Sequence, residues 1–321
     1  MEKFFKNLSL ASALLVFVLL VGIFISLYNN AKPAIKEYGF NFIIDSSWGV
    51  EVPVESVDKP TKAKPIAEES NESIDDDEIP DFVKKHDAIS EESETKSIYG
   101  GLVPIVGTLL STLIAMTFAI PIAMGIAVYL AEIAPKNIAA PVGVAIELLA
   151  AIPSIIFGMW GMFYFAPIVQ NLFGGFQVSL LTAGLVLGIM ILPFMAAITR
   201  DSMRTTPDVL KESAYAMGAT KFEVIKDVIF PYSKAGIIGS VILALGRALG
   251  ETMAVAFLIG SVFVLPNSVT DPTISIPVAM ANNFGEAAGM TVNALFYLAL
   301  ILFVISFGVI SIAKFYFLRK A

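Results

Sequence analysis

An arginine and a glutamate stand four residues apart inside an otherwise apolar stretch of the chain. They are Arg247 and Glu251, in the string GRALGETMAV. Residues four apart share one face of an α-helix, so the two charges could neutralise each other. A guanidinium also offers a planar, bidentate fork that fits the oxygens of a phosphate-like anion. The pair therefore either stabilises a helix bundle or lines the path of an oxyanion.

The surroundings of this pair predict a membrane protein. The chain is 56% hydrophobic, above the roughly 45–50% of soluble domains, and its mean hydropathy is +0.78. Six segments provide the roughly 20 apolar residues that cross a bilayer. They are about 8–28, 102–130, 138–169, 178–199, 235–264 and 290–317. Ionisable groups within such spans are costly and usually functional, which favours a functional role for Arg247 and Glu251.

The distribution of lysine and arginine predicts the orientation. Basic residues precede the first span, fill the loop 200–234 and end the chain, whereas the loops near 170–177 and 265–289 hold none. Because short cytoplasmic loops are rich in these residues, we expect both termini and the loop 200–234 to be cytoplasmic. The chain is thus predicted to be a multi-pass protein of the inner, cytoplasmic membrane.

The N-terminal third divides into an anchor and an acidic loop. Residues 1–30 are predicted to be a retained anchor, because the apolar run exceeds the about 7–15 residues of a signal peptide. Residues 31–100 contain 17 acidic and 8 basic residues and are predicted to be an extracytoplasmic loop. Within it, Glu51–Lys96 has the composition of a largely disordered insertion. The acidic run Asp75–Glu78 favours a solvated tract over a metal site.

The loop 200–234 carries two helix signatures in succession. Thr206 and the proline after it predict a helix start, and Gly218 predicts its end. Thr220 and Glu223 form a capping box that begins a second helix, which Pro231 is expected to end. The two short amphipathic helices either pack on the protein's own spans or fit a groove in a soluble partner.

One motif bears on that choice. Glu212-Ser213-Ala214, Gly218 and Pro231 resemble the EAA signature of ABC-importer permeases, with conservative departures at three positions including Ser213. In that family this loop docks into a cleft of an ATP-hydrolysing subunit. The resemblance implies that Glu212, Ser213, Ala214 and Gly218 contact such a subunit here.

A second resemblance covers most of the chain except Glu51–Lys96. The string around Arg247 and Glu251, with the segment around Pro153, is similar to the phosphate-importer permeases of the PstC type. Asn283 departs from that pattern, since the family usually has an acidic residue there. The implied fold is an all-α membrane protein with six transmembrane helices. Residues 101–321 would form a five-helix, MetI-like permease core with cytoplasmic coupling helices.

The resemblance also implies a function and partners. The chain would move inorganic phosphate into the cytoplasm, with Arg247 and Glu251 on the substrate path. Its partners would be a sister permease in a heterodimer, an ATPase subunit dimer, an extracytoplasmic phosphate-binding protein and membrane lipid. No phosphate-binding Gly-x-x-x-x-Gly-Lys motif occurs in the chain, so ATP and Mg would be bound by the ATPase. We therefore expect a transport subunit, not an enzyme, with no cofactor of its own.

Other residues within the spans have structural or gating interpretations. Pro153 is expected to kink its helix beside the path. Gly246 and Gly250 are expected to allow close packing against another helix. Glu147, near the start of the third span, is either an interfacial residue or part of a gate. A metal site is not expected, since His86 is the only histidine and there is no cysteine.

One alternative function stays open, and three other classes of protein are disfavoured. Sulfate or molybdate permeases are near rivals that differ only in the anion carried. A secondary transporter is disfavoured because no inverted repeat is recognisable. An intramembrane enzyme lacks its motifs here, since no Ser–His pair or His-Glu-x-x-His sequence occurs. Nucleic-acid binding is not indicated, because there is no concentrated basic surface.

Overall fold

The computed structural model describes residues 2–53 and 95–318 of the chain, and most of these residues are helical. Within these described ranges, six helices are long and apolar enough to cross a membrane: Phe4–Tyr38, Leu102–Ile133, Ser154–Phe173, Leu180–Arg204, Lys221–Leu249 and Met290–Phe315. The prediction of an all-α protein with six membrane helices is confirmed. The bounds of the first, third and fifth spans differ from the predicted ones.

The α-helices are α1 (Glu2–Tyr38), α2 (Asn41–Ile44), α3 (Leu102–Val128), α4 (Lys136–Ala150), α5 (Ser154–Trp160), α6 (Ala166–Phe173), α7 (Leu180–Arg204), α8 (Asp208–Ala216), α9 (Lys221–Glu223), α10 (Phe230–Leu249), α11 (Met253–Ala256), α12 (Ile276–Asn283) and α13 (Met290–Leu318). Three π-helical turns extend them: π1 (Tyr129–Ile133), π2 (Gly161–Phe165) and π3 (Val224–Ile229). Two strands, β1 (Trp48–Pro53) and β2 (Thr95–Tyr99), form an antiparallel sheet.

Helix α7 is the centre of the bundle. It packs along α3 on one side and against α10 and α4 on the others. A Cβ added to Gly188 of α7 would lie 3.0 Å from the ring of Phe118 in α3. Such close backbone approach is how membrane helices gain van der Waals contact in the absence of a hydrophobic driving force. The small residues of this pair therefore fix the core around which the other spans are arranged.

The first span is a peripheral helix longer than predicted. Instead of ending near residue 28, α1 continues through Pro33 to Tyr38. It packs against α13, with the rings of Phe24 and Phe303 5.7 Å apart. No residue in its most apolar 18-residue window is buried inside the chain. This arrangement is consistent with an anchor in contact with lipid.

The ends of the acidic loop form a small sheet against the helices. The rings of Trp48 and Phe263 stack 4.7 Å apart, and those of Phe42 and Tyr297 stack 4.5 Å apart. The predicted insertion Glu51–Lys96 lies mostly outside the described residues. Its two ends are ordered, however, because they belong to β1 and β2.

The loop 200–234 differs from prediction at two prolines. Helix α8 begins at Asp208 with Pro207 outside it, and the buried Thr206 hydroxyl has no hydrogen-bond partner among the described residues, so the predicted threonine cap is wrong. Pro231 does not end a helix, because the helix from Lys221 runs through it to Leu249. The π3 turn just before it widens the helix where a proline ring would otherwise clash with a preceding carbonyl.

Two of the predicted spans are interrupted. The third breaks between Ala150 and Ser154, where Pro153 has extended backbone angles (φ −57°, ψ 137°). The fifth ends at Leu249 and resumes only as the short helix α11, so the predicted continuous span 235–264 is wrong. The glycine at position 250 favours that break, since glycine is a poor helix former.

Candidate functional site

Arg247 lies in the last turn of α10. Its guanidinium carbon is 5.8 Å from the ring centroid of Phe194, which lies near the middle of α7. The side chain is half-buried. Among residues 2–53 and 95–318, no carboxylate lies within 4.0 Å of it in an ion pair. The structure thus places a cation in the last turn of α10, beside the middle of α7, where the aromatic face of Phe194 makes a favourable but weak contact with it.

Glu251 is positioned differently from the prediction. Because α10 ends at Leu249, Arg247 and Glu251 do not share a helical face, and the predicted i,i+4 pairing is wrong. One carboxylate oxygen of Glu251 accepts the backbone N–H of Ala254 at 3.2 Å. This bond supports the first turn of α11, as a capping side chain does. The break at Gly250 therefore separates the cation from the carboxylate.

A second charged group lies toward the end of α7. One Arg200 nitrogen is 2.8 Å from a Glu147 oxygen of α4 and 2.8 Å from a carboxylate oxygen of Asp201. The Arg200 side chain is only 7% exposed. Its guanidinium reaches this position over Gly143, where any Cβ would collide with it. The sequence predicts a gate or an interfacial role for Glu147, whereas Arg200 is only one of the basic residues that predict the orientation of the chain.

Glycine contacts along α7 show the level, along this helix, at which the breaks near Pro153 and Gly250 lie. Near the end of α7, Ser202 lies against Gly236 of α10, and the ion pair with α4 is at the same end. Near the start of α7, a Cβ on Gly161 of the third span would lie 3.0 Å from Val186 of α7. The same Cβ would lie 3.0 Å from Leu258, which follows α11. Both broken spans therefore run antiparallel to α7. Both breaks lie between the level of Ser202 and the level of Val186. They flank the same central part of the bundle as Arg247.

The two broken spans also touch each other. A Cβ on Gly158 of α5 would lie 2.9 Å from the ring of Phe257 and 3.0 Å from the Cα of Ala254. Pro153, predicted to kink its helix, instead separates α4 from α5 completely. Short helices that meet within a bundle can support irregular backbone where it is buried in protein or lines a cavity.

The two predicted packing glycines have different surroundings. A Cβ on Gly246 would lie 3.2 Å from Ile310, so this residue faces α13. Gly250 lies outside the helix, and a Cβ there would meet only the backbone of its own preceding turn, at 3.8 Å or more. Close packing against a second subunit at these glycines stays a prediction.

The predicted docking residues lie together on the exposed side of α8 and the turn after it. Glu212 and Ser213 are exposed, Ala214 is half-buried, and Gly218 has a left-handed backbone (φ +88°). The capping box of Thr220 and the glutamate three residues later is present, as predicted. A cleft of about 410 Å³ lies between Ala214, Gly218 and the start of π3. Its rim carries Met217, which is 89% exposed.

Comparisons with known proteins decide the family. Residues 97–318 match the family described as "Binding-protein-dependent transport system inner membrane component". The chain belongs to this family. It is similar to the phosphate transport system permease protein PstC of Haemophilus influenzae, with 40% identity over 98% of this chain and 92% of that protein. It is also similar to the probable PstC protein of Methanocaldococcus jannaschii, with 32% identity over 98% of this chain and 93% of that protein.

A solved structure supports the fold of this family member. The permease fold resembles a chain of the inward-facing MetNI methionine ABC transporter, with a TM-score of 0.51 and 21% identity. The match covers 65% of this chain and 92% of that one. The MetI-like fold predicted from the sequence is confirmed, and the chain is a multi-pass membrane protein.

Proposed function

We propose that this chain is the permease subunit of an ATP-driven importer that moves inorganic phosphate from the extracytoplasmic side into the cytoplasm. The observation that carries the proposal is the guanidinium of Arg247, which lies in the last turn of α10, beside the middle of α7 and next to the break in the fifth span. A cation among the membrane helices is costly, and ionisable groups placed there usually mark the path of an ion or substrate.

The chemistry of this position suits phosphate. The guanidinium presents several N–H donors in a fixed plane, and phosphate offers matching acceptor oxygens. Glu251 is engaged with the Ala254 N–H, which leaves Arg247 available in this conformation. If Glu251 turned toward Arg247 after transfer, it would compete with the anion and promote its release.

The relatives favour phosphate among oxyanions. The Haemophilus influenzae and Methanocaldococcus jannaschii proteins are both described as phosphate transport system permeases, and each aligns with almost the whole chain. Sulfate and molybdate are also tetrahedral oxyanions, so the guanidinium alone does not select among them. A permease for one of these anions is the second candidate.

The cytoplasmic face suits an ATPase partner. Glu212, Ser213, Ala214 and Gly218 would make the contact, next to the exposed Met217. Large exposed apolar side chains rimmed by polar ones mark interaction surfaces. The ATPase would bind ATP and Mg, since this chain carries no nucleotide-binding motif of its own.

A sister permease and a phosphate-binding protein complete the proposed importer. The third span exposes large apolar side chains, among them Phe163 at 65%, Tyr164 at 69% and Leu172 at 73%. These would face the sister subunit or lipid.

In the proposed orientation both termini are cytoplasmic, and β1 and β2 lie outside, where a binding protein would deliver phosphate. ATP binding would move the docking residues and open the path outward, and hydrolysis would reset it inward.

Uptake of labelled phosphate by proteoliposomes containing the complete importer tests the proposal. Loss of a hydrogen bond to a charged group costs about 1.5–3 kcal/mol, so Arg247→Ala should lower uptake by roughly ten- to a hundredfold. Arg247→Lys keeps the charge but loses the bidentate fork, and we expect an intermediate rate. Lys314→Ala removes an exposed cation near the end of α13 and is the matched control, with uptake unchanged.

Competition identifies the anion. Excess unlabelled phosphate should abolish uptake of the label, whereas equal sulfate or molybdate should not. Transport of sulfate in preference to phosphate would overturn the substrate assignment. Wild-type uptake by the Arg247→Ala variant would overturn the role of the guanidinium.

A further inference from the structure

The docking helix α8 has little contact with the membrane part of the protein. None of its residues is fully buried. Ala214 packs at the edge of a small apolar cluster that includes Ala127 and Val224. The side chain of Lys211 is the least exposed charged group on α8, at 17%, and it points away from the predicted ATPase face toward the bundle.

Lys211 forms an ion pair with Glu132. The ammonium nitrogen lies 2.7 Å from a carboxylate oxygen, and the Glu132 side chain is only 12% exposed. Asp208, on the same helix as Lys211, is the competing partner, but its oxygen is 3.8 Å away and its side chain is 88% exposed. Solvent screening weakens an exposed pair much more than a largely buried one. The contact with Glu132 is therefore the dominant one.

Glu132 lies at a junction of three spans. It belongs to the π1 turn that ends the helix α3, and this turn also packs against α4 and α7. The backbone oxygen of Leu130 in the same turn accepts a hydrogen bond from Arg204, the last residue of α7, at 3.1 Å. Isolated π turns within α-helices are frequent at functional sites. A force applied to this turn would reach both helices of the central α3–α7 pair.

We propose that the Lys211–Glu132 ion pair is the link through which movement of the docking helix is passed to the π1 turn and from there to α3 and α7. The inference rests on the proposed function, since it assumes an ATPase that moves α8. A largely buried charge without its partner is strongly unfavourable. The two side chains therefore stay together as α8 moves, and the π1 turn follows. Both are positioning residues, since neither touches the transported anion.

Charge reversal tests the link in the complete importer. Lys211→Glu and Glu132→Lys each place like charges together, and the double variant restores an ion pair of opposite polarity. Phosphate uptake, ATP hydrolysis and co-purification of the ATPase are measured for each. We expect each single variant to keep the ATPase bound while phosphate moved per ATP falls by about tenfold, the equivalent of about 1.4 kcal/mol of lost coupling. The double variant should recover to within about threefold of wild type.

Asp208→Asn is the matched control, because it removes the alternative partner of Lys211 on the same helix. It should leave phosphate moved per ATP unchanged. A structural role alone would lower the amount of assembled complex and leave the ratio of phosphate to ATP as it was. Single variants with a wild-type ratio, or a double variant no better than the singles, would overturn the link.

The same experiment separates this inference from the proposed function. Uptake is measured in parallel with labelled phosphate and labelled sulfate, so that the ratio is obtained whichever anion is carried. If the importer takes up sulfate in place of phosphate, and sulfate moved per ATP falls in the single variants and recovers in the double variant, the phosphate assignment is overturned and the link is supported. If the importer takes up phosphate and the charge-reversal variants leave phosphate moved per ATP unchanged, the phosphate assignment is supported and the link is overturned.

Discussion

Arg200 and Glu147 join the fourth span to the first half of the broken third span. The two side chains meet at 2.8 Å, but their environments differ, since Arg200 is 7% and Glu147 58% exposed. Arg200 also contacts Asp201, so loss of Glu147 leaves the guanidinium with a partner. Helix α4 packs against α7 and π1, which makes this contact one of its principal attachments.

The asymmetry of this pair predicts unequal effects on stability. Arg200→Ala removes a buried side chain and its packing, and we expect a loss of about 2–4 kcal/mol. Glu147→Gln removes a half-exposed charge and should cost about 1 kcal/mol or less. The thermal midpoints of the purified complex in detergent measure both. Equal losses would show that Glu147 is held more tightly than its exposure indicates.

Normal phosphate uptake by Glu147→Gln would support an interfacial role, and a clear loss would support a gate.

The observed structural role of Glu251 and its proposed role in transport can be separated by substitution. Glu251→Gln keeps an oxygen that can accept the Ala254 N–H, whereas Glu251→Ala removes it. Loss of a capping acceptor costs about 0.5–2 kcal/mol, so only the alanine variant should lower the thermal midpoint. Both variants lack the carboxylate charge, and both should transport phosphate more slowly. A glutamine variant with normal uptake would restrict Glu251 to supporting α11.

The long apolar helices and the turn from Gly218 to Thr220 were predictable because their signals are local. Hydrophobic length identifies a span, and the capping box at Thr220 needs only residues three apart. The interruption at Gly250 was missed because hydropathy is continuous through it, and the sequence gives no direct sign that Glu251 bonds to the backbone after the break. Arg200 was missed for a related reason. Its partner Glu147 and the glycine that admits it lie more than 50 positions earlier in the chain.

The left-handed backbone of Gly218 predicts a specific effect on partner binding. A Cβ at this position would meet no atom of the chain within 4 Å, so Gly218→Ala would act through backbone strain and not through crowding. That strain is about 1–2 kcal/mol for an ordinary residue and smaller for asparagine. If docking requires this conformation, Gly218→Ala should weaken ATPase binding by about 5–30-fold, and Gly218→Asn should bind nearly as wild type. The fraction of ATPase that co-purifies with equal amounts of permease measures this.

The pattern of the two variants distinguishes the alternatives. Wild-type binding by both would show that the turn is not part of the interface. Equal losses in both would show that the partner lies too close to Gly218 to admit any side chain.

The segment between the two strands is predicted to be dispensable for transport. Pro53 and Thr95 are paired at the end of the sheet, so an Asn-Gly turn can join them in place of residues 54–94. The deletion keeps both strands and their described contacts with the helices, including the hydrogen bond of Tyr99 with Thr291 at 2.6 Å. We therefore expect phosphate uptake within about twofold of wild type, as for other insertions between closely placed ends. A second deletion that also removes β1 and β2 is the control, and it should lower the yield of assembled complex because it exposes Phe263. Loss of uptake in the first deletion, with normal assembly, would show that the acidic segment takes part in transport.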